Sequence, residues 1–186
     1  MSPWSNLPNG LTLLRFLLVV PVVACLRGGS PRAALAVFGL AALTDGLDGY
    51  LARRLGAVTR LGRLLDPLAD KCLLSGAYLA LGLAGAAPWW LVGLILGRDL
   101  GILMGAGLVY TVTRRRSFPP SVWGKISTLV QIVTAVTLMG RQAFPAMVPA
   151  ALAAVIVWPA AAATLWSGAH YTWRAVRPID GAPAAE

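Results

Sequence analysis

Apolar residues run in stretches of about 20, the length an α-helix needs to cross a bilayer. Six are drawn: Gly10–Leu26, Arg32–Leu51, Gly62–Leu83, Pro88–Val112, Ser121–Met139 and Pro145–Ser167. Membrane strands would be about half as long with strict alternation, and no such pattern occurs. The pattern predicts an all-α integral membrane protein, a six-transmembrane-helix bundle forming one domain over residues 1–186. Linkers such as Arg27-Gly28-Gly29-Ser30-Pro31 and Gly85-Ala86-Ala87 are short enough to join antiparallel neighbours. Gly93, Gly97, Gly101 and Gly105 repeat every four residues and form one helical stripe suited to close approach of a neighbour, in the same chain or a second subunit.

Composition agrees with this solvent. Of the 186 residues, 58% are hydrophobic and only 12% charged, about half the charged share of a soluble domain. The net charge is +9. Its arginines gather at the ends of apolar runs, which points to topology and to anionic headgroups or phosphate-bearing substrates, not to nucleic acid. Six spans place both termini on one face. That face also holds Arg53, Arg54, Arg60, Arg63, Arg114, Arg115, Arg116, Lys125, Arg174 and Arg177, while the other keeps Arg27, Arg32 and Arg141. The richer face is expected to be cytoplasmic. Trp4, Trp89, Trp90, Tyr171 and Trp173 sit where interfacial aromatics are expected. Cys25 and Cys72 are isolated and carry no assigned role. Val22-Val23-Ala24-Cys25 loosely matches a lipoprotein cleavage box, but no basic segment precedes the run, so an uncleaved first span is expected.

Against this background stands the segment TDGLDGYLARRLGAVTRLGRLLDPLADK, Thr44–Lys71. Asp45 and Asp48 are three apart near the end of the second helix; Asp66 and Asp70 are four apart near the start of the third. Each pair shares a helical face. A short turn between antiparallel helices brings the pairs together. A carboxylate costs about 2.5–3.5 kcal/mol near the bilayer centre and less at an interface, and mutual repulsion adds to this. Two divalent cations match the formal charge. Oxygen-only ligands suit hard ions such as Mg²⁺, Mn²⁺ or Ca²⁺, and Mg²⁺ keeps positions open for phosphate oxygens. The bland alternative is surface pairing with Arg53, Arg54, Arg60 and Arg63.

The spacing Asp45-x2-Asp48-Gly49-x2-Ala52-Arg53-x8-Gly62-x3-Asp66-x3-Asp70 resembles the signature of the CDP-alcohol phosphatidyltransferase family at every signature position. The opening NLPNGLTLLR, the six spans and SVWGKISTLVQ also look like this family. The resemblance implies that Asp45, Asp48 and Asp66 hold two divalent cations, Mg²⁺ or Mn²⁺, with Asp70 as a further ligand and general base. It implies that Gly49 and Gly62 let backbone approach a cytidine nucleotide, that Ala52 is small for the same reason, and that Arg53 grips the pyrophosphate. The implied reaction is attack by an alcohol on the lipid-side phosphorus of CDP-diacylglycerol with release of CMP. A homodimer is implied as well.

Polar residues elsewhere in the apolar runs supply the remaining candidates. Arg98 and Asp99 interrupt the fourth span. Adjacent helical residues do not face each other, so each is expected to find its own partner. Arg98 is a candidate for the acceptor phosphate, Asp99 for orienting a cation such as Lys71, with a structural ion pair as the alternative for both. Lys125, Thr128 and Gln131 are spaced by three, read as one polar stripe, with Ser121 as N-cap and Lys125 binding the acceptor or snorkelling. Asn9, Thr12 and Arg15 form a similar stripe in the first span. Thr12 or Asn9 is a candidate nucleotide contact, with helix capping competing for Asn9. His170 reads as an interfacial residue.

The residues around Arg98-Asp99 and Gly124–Thr128 look closer to CMP-forming cardiolipin synthases, with phosphatidylglycerol as acceptor. The cue is Asp rather than Glu after the arginine. The alternative is phosphatidylglycerophosphate synthesis from glycerol 3-phosphate. A divalent-cation transporter is a different-class alternative, although the halves show no inverted symmetry. A structural scaffold explains neither the acids nor their glycines. An Arg-, Ala- and Gly-rich chain of this kind is expected in a bacterial inner membrane.

Overall fold

The computed structural model describes the backbone of residues 7–55, 60–113 and 121–176, and the side chains of 17–44, 71–105 and 121–173. Among the described residues every element is helical: α1 Leu7–Arg27, α2 Pro31–Leu55, α3 Arg60–Leu83, α4 Trp89–Thr113, α5 Val122–Ala143, α6 Ala150–Val155 and α7 Val157–Val176. The turns follow from local chemistry. Gly29 and Gly85 both adopt φ of 69°, a conformation glycine reaches without steric penalty. Beyond them, Ser30 N–H donates to Cys25 O and Ala86 N–H to Leu81 O, both at 2.8 Å. These bonds satisfy carbonyls that the helix ends leave free. Pro31 then occupies the first position of α2, where a missing N–H costs nothing.

The predicted sixth span needs correction. It begins at Ala150, not Pro145, runs on to Val176 beyond Ser167, and is divided at Ile156. Pro159 has no N–H for the Val155 carbonyl, and its ring crowds that same carbonyl, so the α-helical ladder restarts at Val157. Residues 145–149 form a turn, closed by Arg141 donating to the carbonyls of Pro145 and Val148. Helices α1–α5 overlap the other five predicted apolar segments, with shifted ends.

α1 packs on α2 and α3, α3 on α4 and α5, and α7 on α4 and α5. Val22, Phe38, Tyr78, Leu81, Leu91, Ile95 and Met139 are fully buried where they meet. Small residues bring the helices close: Ala34, Ala41, Ala77 and Ala80 are all 0% exposed. A Cβ on Gly76 would lie 2.6 Å from Val19 Cγ1. Gly76→Ala should therefore part α1 from α3 and lower stability by about 1–3 kcal/mol, read as a lower melting temperature in detergent. An unchanged melting temperature would show that Val19 rotates away freely. The Gly93–Gly97–Gly101–Gly105 stripe behaves otherwise: added Cβ atoms there meet nothing within 4 Å. It faces away from the described helices.

Polarity is inverted relative to a soluble bundle. On α5, Ser127, Gln131 and Thr134 are buried while Leu129, Val133 and Val136 are exposed. Leu40, Leu43, Leu103, Met104 and Leu165 also point outward, each more than half exposed. Water would disfavour this arrangement, whereas hydrocarbon favours it. Among the described residues, Val122–Ala143 and Ala150–Trp173 are long and apolar enough to span a membrane. The chain is a membrane protein.

Candidate active site

Asp45, Asp48, Gly49, Ala52 and Arg53 lie on α2, Gly62, Asp66 and Asp70 on α3, and Thr12 on α1. α2 and α3 both pack against α1. The side chains of all nine fall outside the described residues. So do those of Asn9, Arg15, Arg114, Arg115 and Arg116. Among the described residues no group of three or more His, Cys, Asp or Glu side chains gathers to hold a metal ion. The four carboxylates expected to hold a cation, Asp45, Asp48, Asp66 and Asp70, lie on two helices that share a neighbour. That chemistry fits a hard divalent ion.

Immediately after Asp70 the described side chains begin with an ion-pair node. Lys71 Nζ donates to Asp99 Oδ1 at 2.6 Å, and Arg98 Nη1 donates to the same oxygen at 2.6 Å. Asp99 is 8% exposed. Its expected partnership with Lys71 is present, tying α3 to α4. The adjacency expectation fails: Arg98 does reach Asp99, because a long guanidinium can fold back across its own turn. Arg98 Nη2 also donates to Ser167 Oγ at 2.6 Å, which carries the node to α7. Arg98 Nε is buried and has no hydrogen-bond partner among the described residues.

The N-terminus of α5 adjoins this node. Ser121 is its N-cap, as expected, its Oγ accepting from Gly124 N–H at 3.0 Å. The Ser121 N–H donates to Tyr171 Oη at 3.0 Å. The Tyr171 ring centroid lies 5.9 Å from the Arg98 guanidinium carbon. Tyr171 is thus an interhelical contact, where the interfacial reading had assigned it to the membrane boundary. Its distance from Arg98 in sequence left no signal to connect them.

The expected Lys125–Thr128–Gln131 stripe does not hold. Lys125 is exposed, Thr128 partly buried and Gln131 fully buried. A three-residue step falls about 60° short of a full turn, so two steps rotate Gln131 well away from Lys125. Gln131 Nε2 instead donates to Thr164 Oγ1 at 2.8 Å and Ser127 Oγ at 3.3 Å. Tyr78 donates to the Gln131 carbonyl at 2.8 Å. This interior polar contact between α3, α5 and α7 has no place in the chemistry below.

At the opposite end of the bundle, Arg32 Nε donates to Ala143 O at 3.1 Å and lies 5.3 Å from the Phe144 ring centroid. Arg32 and Arg141 are thus occupied by turn carbonyls.

Residues 5–166 match the model of the CDP-alcohol phosphatidyltransferase family, so the chain belongs to that family and is a transferase. It is 41% identical over 185 residues to a probable phosphatidylglycerophosphate synthase of Mycobacterium tuberculosis, covering 95% of this chain and 85% of that protein. It is 34% identical over 190 residues to the CDP-diacylglycerol–glycerol-3-phosphate 3-phosphatidyltransferase of Bacillus subtilis, covering 92% of this chain and 97% of the relative. Among solved structures, its fold is similar to that of Mycobacterium tuberculosis phosphatidylinositol phosphate synthase with CDP-DAG bound. The TM-score is 0.58 at 21% identity, over 92% of this chain and 90% of that one.

Family membership sets the cation-transporter alternative aside. The Bacillus subtilis relative is named for glycerol 3-phosphate, the alternative acceptor, and not for phosphatidylglycerol. The cue for that acceptor was Asp rather than Glu at position 99. In the structure Asp99 binds Lys71 and Arg98, a partnership that does not itself select an acceptor.

Proposed function

We propose that the protein transfers the phosphatidyl group of CDP-diacylglycerol to glycerol 3-phosphate, forming phosphatidylglycerophosphate and releasing CMP. The observation that carries this reading is the near full-length likeness to relatives named for that reaction. The acceptor hydroxyl oxygen forms a bond to the lipid-side phosphorus. The bond from that phosphorus to the bridging oxygen breaks, and CMP leaves with the electron pair. Asp70 takes the hydroxyl proton. Asp45, Asp48, Asp66 and Asp70 hold two divalent cations, Mg²⁺ or Mn²⁺, which when bound offset the phosphate charge. Arg53 grips the pyrophosphate; Gly49, Ala52 and Gly62 leave room for the nucleotide, and Thr12 contacts it. Arg98 and Lys125 attract the acceptor phosphate. Arg98 is well suited because its Nε remains without a partner among the described residues.

The setting is a single six-span domain in a bacterial inner membrane, its active site on the cytoplasmic side. The arginine asymmetry supports that orientation, and the outward-facing apolar side chains support immersion in lipid. A homodimer fits the open glycine stripe on α4.

Purified enzyme supplied with CDP-diacylglycerol and Mg²⁺ should release CMP and form phosphatidylglycerophosphate with glycerol 3-phosphate. The panel includes phosphatidylglycerol, inositol phosphate and serine, with lipid products read by mass. Cardiolipin as the sole product would restore the phosphatidylglycerol reading. Full turnover after chelation of divalent ions would remove the metals.

A further inference from the structure

Two cations assigned to the acceptor, Arg98 on α4 and Lys125 on α5, belong to helices brought together through α7. We infer that Tyr171 is the positioning residue that sets them as one phosphate-binding unit. The inference rests on the acceptor assignment above.

Three observations carry it. Tyr171 Oη accepts from the Ser121 N–H at 3.0 Å, fixing where α5 begins and hence the depth of Lys125, four residues on. Its ring lies beside the Arg98 guanidinium at 5.9 Å. Space for the ring depends on Gly124: a Cβ there would come within 3.0 Å of Tyr171 Oη and 3.2 Å of Cε2. Lys125 Nζ has no described anchor, since its side chain is exposed. The backbone at Ser121–Gly124 is therefore what places it. Arg98 is confined from the other side by Asp99 and Ser167. Tyr171 thus touches both supports while making none of the chemistry itself.

The test compares wild type with Tyr171→Phe and Gly124→Ala. Removing the Oη acceptor should raise the KM for glycerol 3-phosphate about tenfold, with kcat and the KM for CDP-diacylglycerol changed by no more than about twofold. Gly124→Ala should show the same split, because its methyl displaces the same hydroxyl. Thr172→Ala, an exposed neighbour whose hydroxyl bonds within its own helix, should change neither constant. Thermal stabilisation of the detergent-solubilised protein by glycerol 3-phosphate gives a readout independent of turnover; Tyr171→Phe should need about tenfold more ligand for the same rise.

Equal increases in both KM values, a fall in kcat at constant KM, or no change would overturn the inference. Absence of glycerol 3-phosphate turnover and binding in the wild type would refute the acceptor assignment instead. The same KM comparison with the acceptor found in the panel would then decide the role of Tyr171: confinement of the effect to that acceptor sustains it, and no such split overturns it.

Discussion

Asp99→Ala is expected to lower the unfolding free energy of the detergent-solubilised protein by about 3–5 kcal/mol, the usual cost of removing one partner from a buried ion pair. Asp99 is 8% exposed and its Oδ1 is shared by Lys71 and Arg98. Removing it leaves two cations facing each other in a site with little water. Arg98 bears the greater penalty, since its side chain is only 6% exposed, against 33% for Lys71. Lys71 can turn outward. Lys71→Met should consequently cost much less than Asp99→Ala. A double-mutant cycle should assign more coupling to Asp99–Arg98 than to Asp99–Lys71. The measurement is reversible denaturant unfolding in micelles, with the cycle completed by Arg98→Met. Loss below about 1 kcal/mol for Asp99→Ala would show that the node behaves like a solvated surface pair.

The same node explains how far the chain could be read in advance. Long apolar runs are governed by one strong constraint, that backbone polar groups in lipid must be satisfied internally. Five helices therefore lay close to their expected bounds. The Ser121 cap and the Lys71–Asp99 pair were legible because each follows from a local rule about an orphan N–H or an unpaired charge. The break at Ile156 was missed because Pro159 lies three residues beyond it and acts on the carbonyl of Val155. Tyr171 was missed for another reason. An aromatic near the end of an apolar run serves a membrane boundary equally well, and only packing of α7 on α4 and α5 selects its interior role. The three-residue spacing from Lys125 to Gln131 does not keep one face, because each step falls about 60° short of a full turn. Asp99 is a weak acceptor cue, because a carboxylate can be retained for the cations beside it.

The largest effect on activity is expected at Asp70. Asp70→Asn keeps the size and one ligating oxygen of the side chain but removes the acid–base function, so turnover should fall by about 10²–10⁴-fold while CDP-diacylglycerol binding survives. The argument begins with register. Asp66 and Asp70 are one turn apart on α3, and Lys71, the next residue, is tied to α4 through Asp99. A step of one residue is about 100° of rotation, so Asp70 and Lys71 occupy different faces and substitution of one need not release the other. Asp45→Asn supplies the contrast. Without a proposed role in proton transfer, it should weaken metal-dependent binding of CDP-diacylglycerol together with turnover. Binding is measured in Mn²⁺ by titrating CDP-diacylglycerol micelles, and turnover by CMP release under saturating donor. If Asp70→Asn turns over normally, Asp70 has no part in the reaction. If it loses binding in parallel with turnover, as Asp45→Asn should, its role is that of a metal ligand and the acceptor proton leaves by another route.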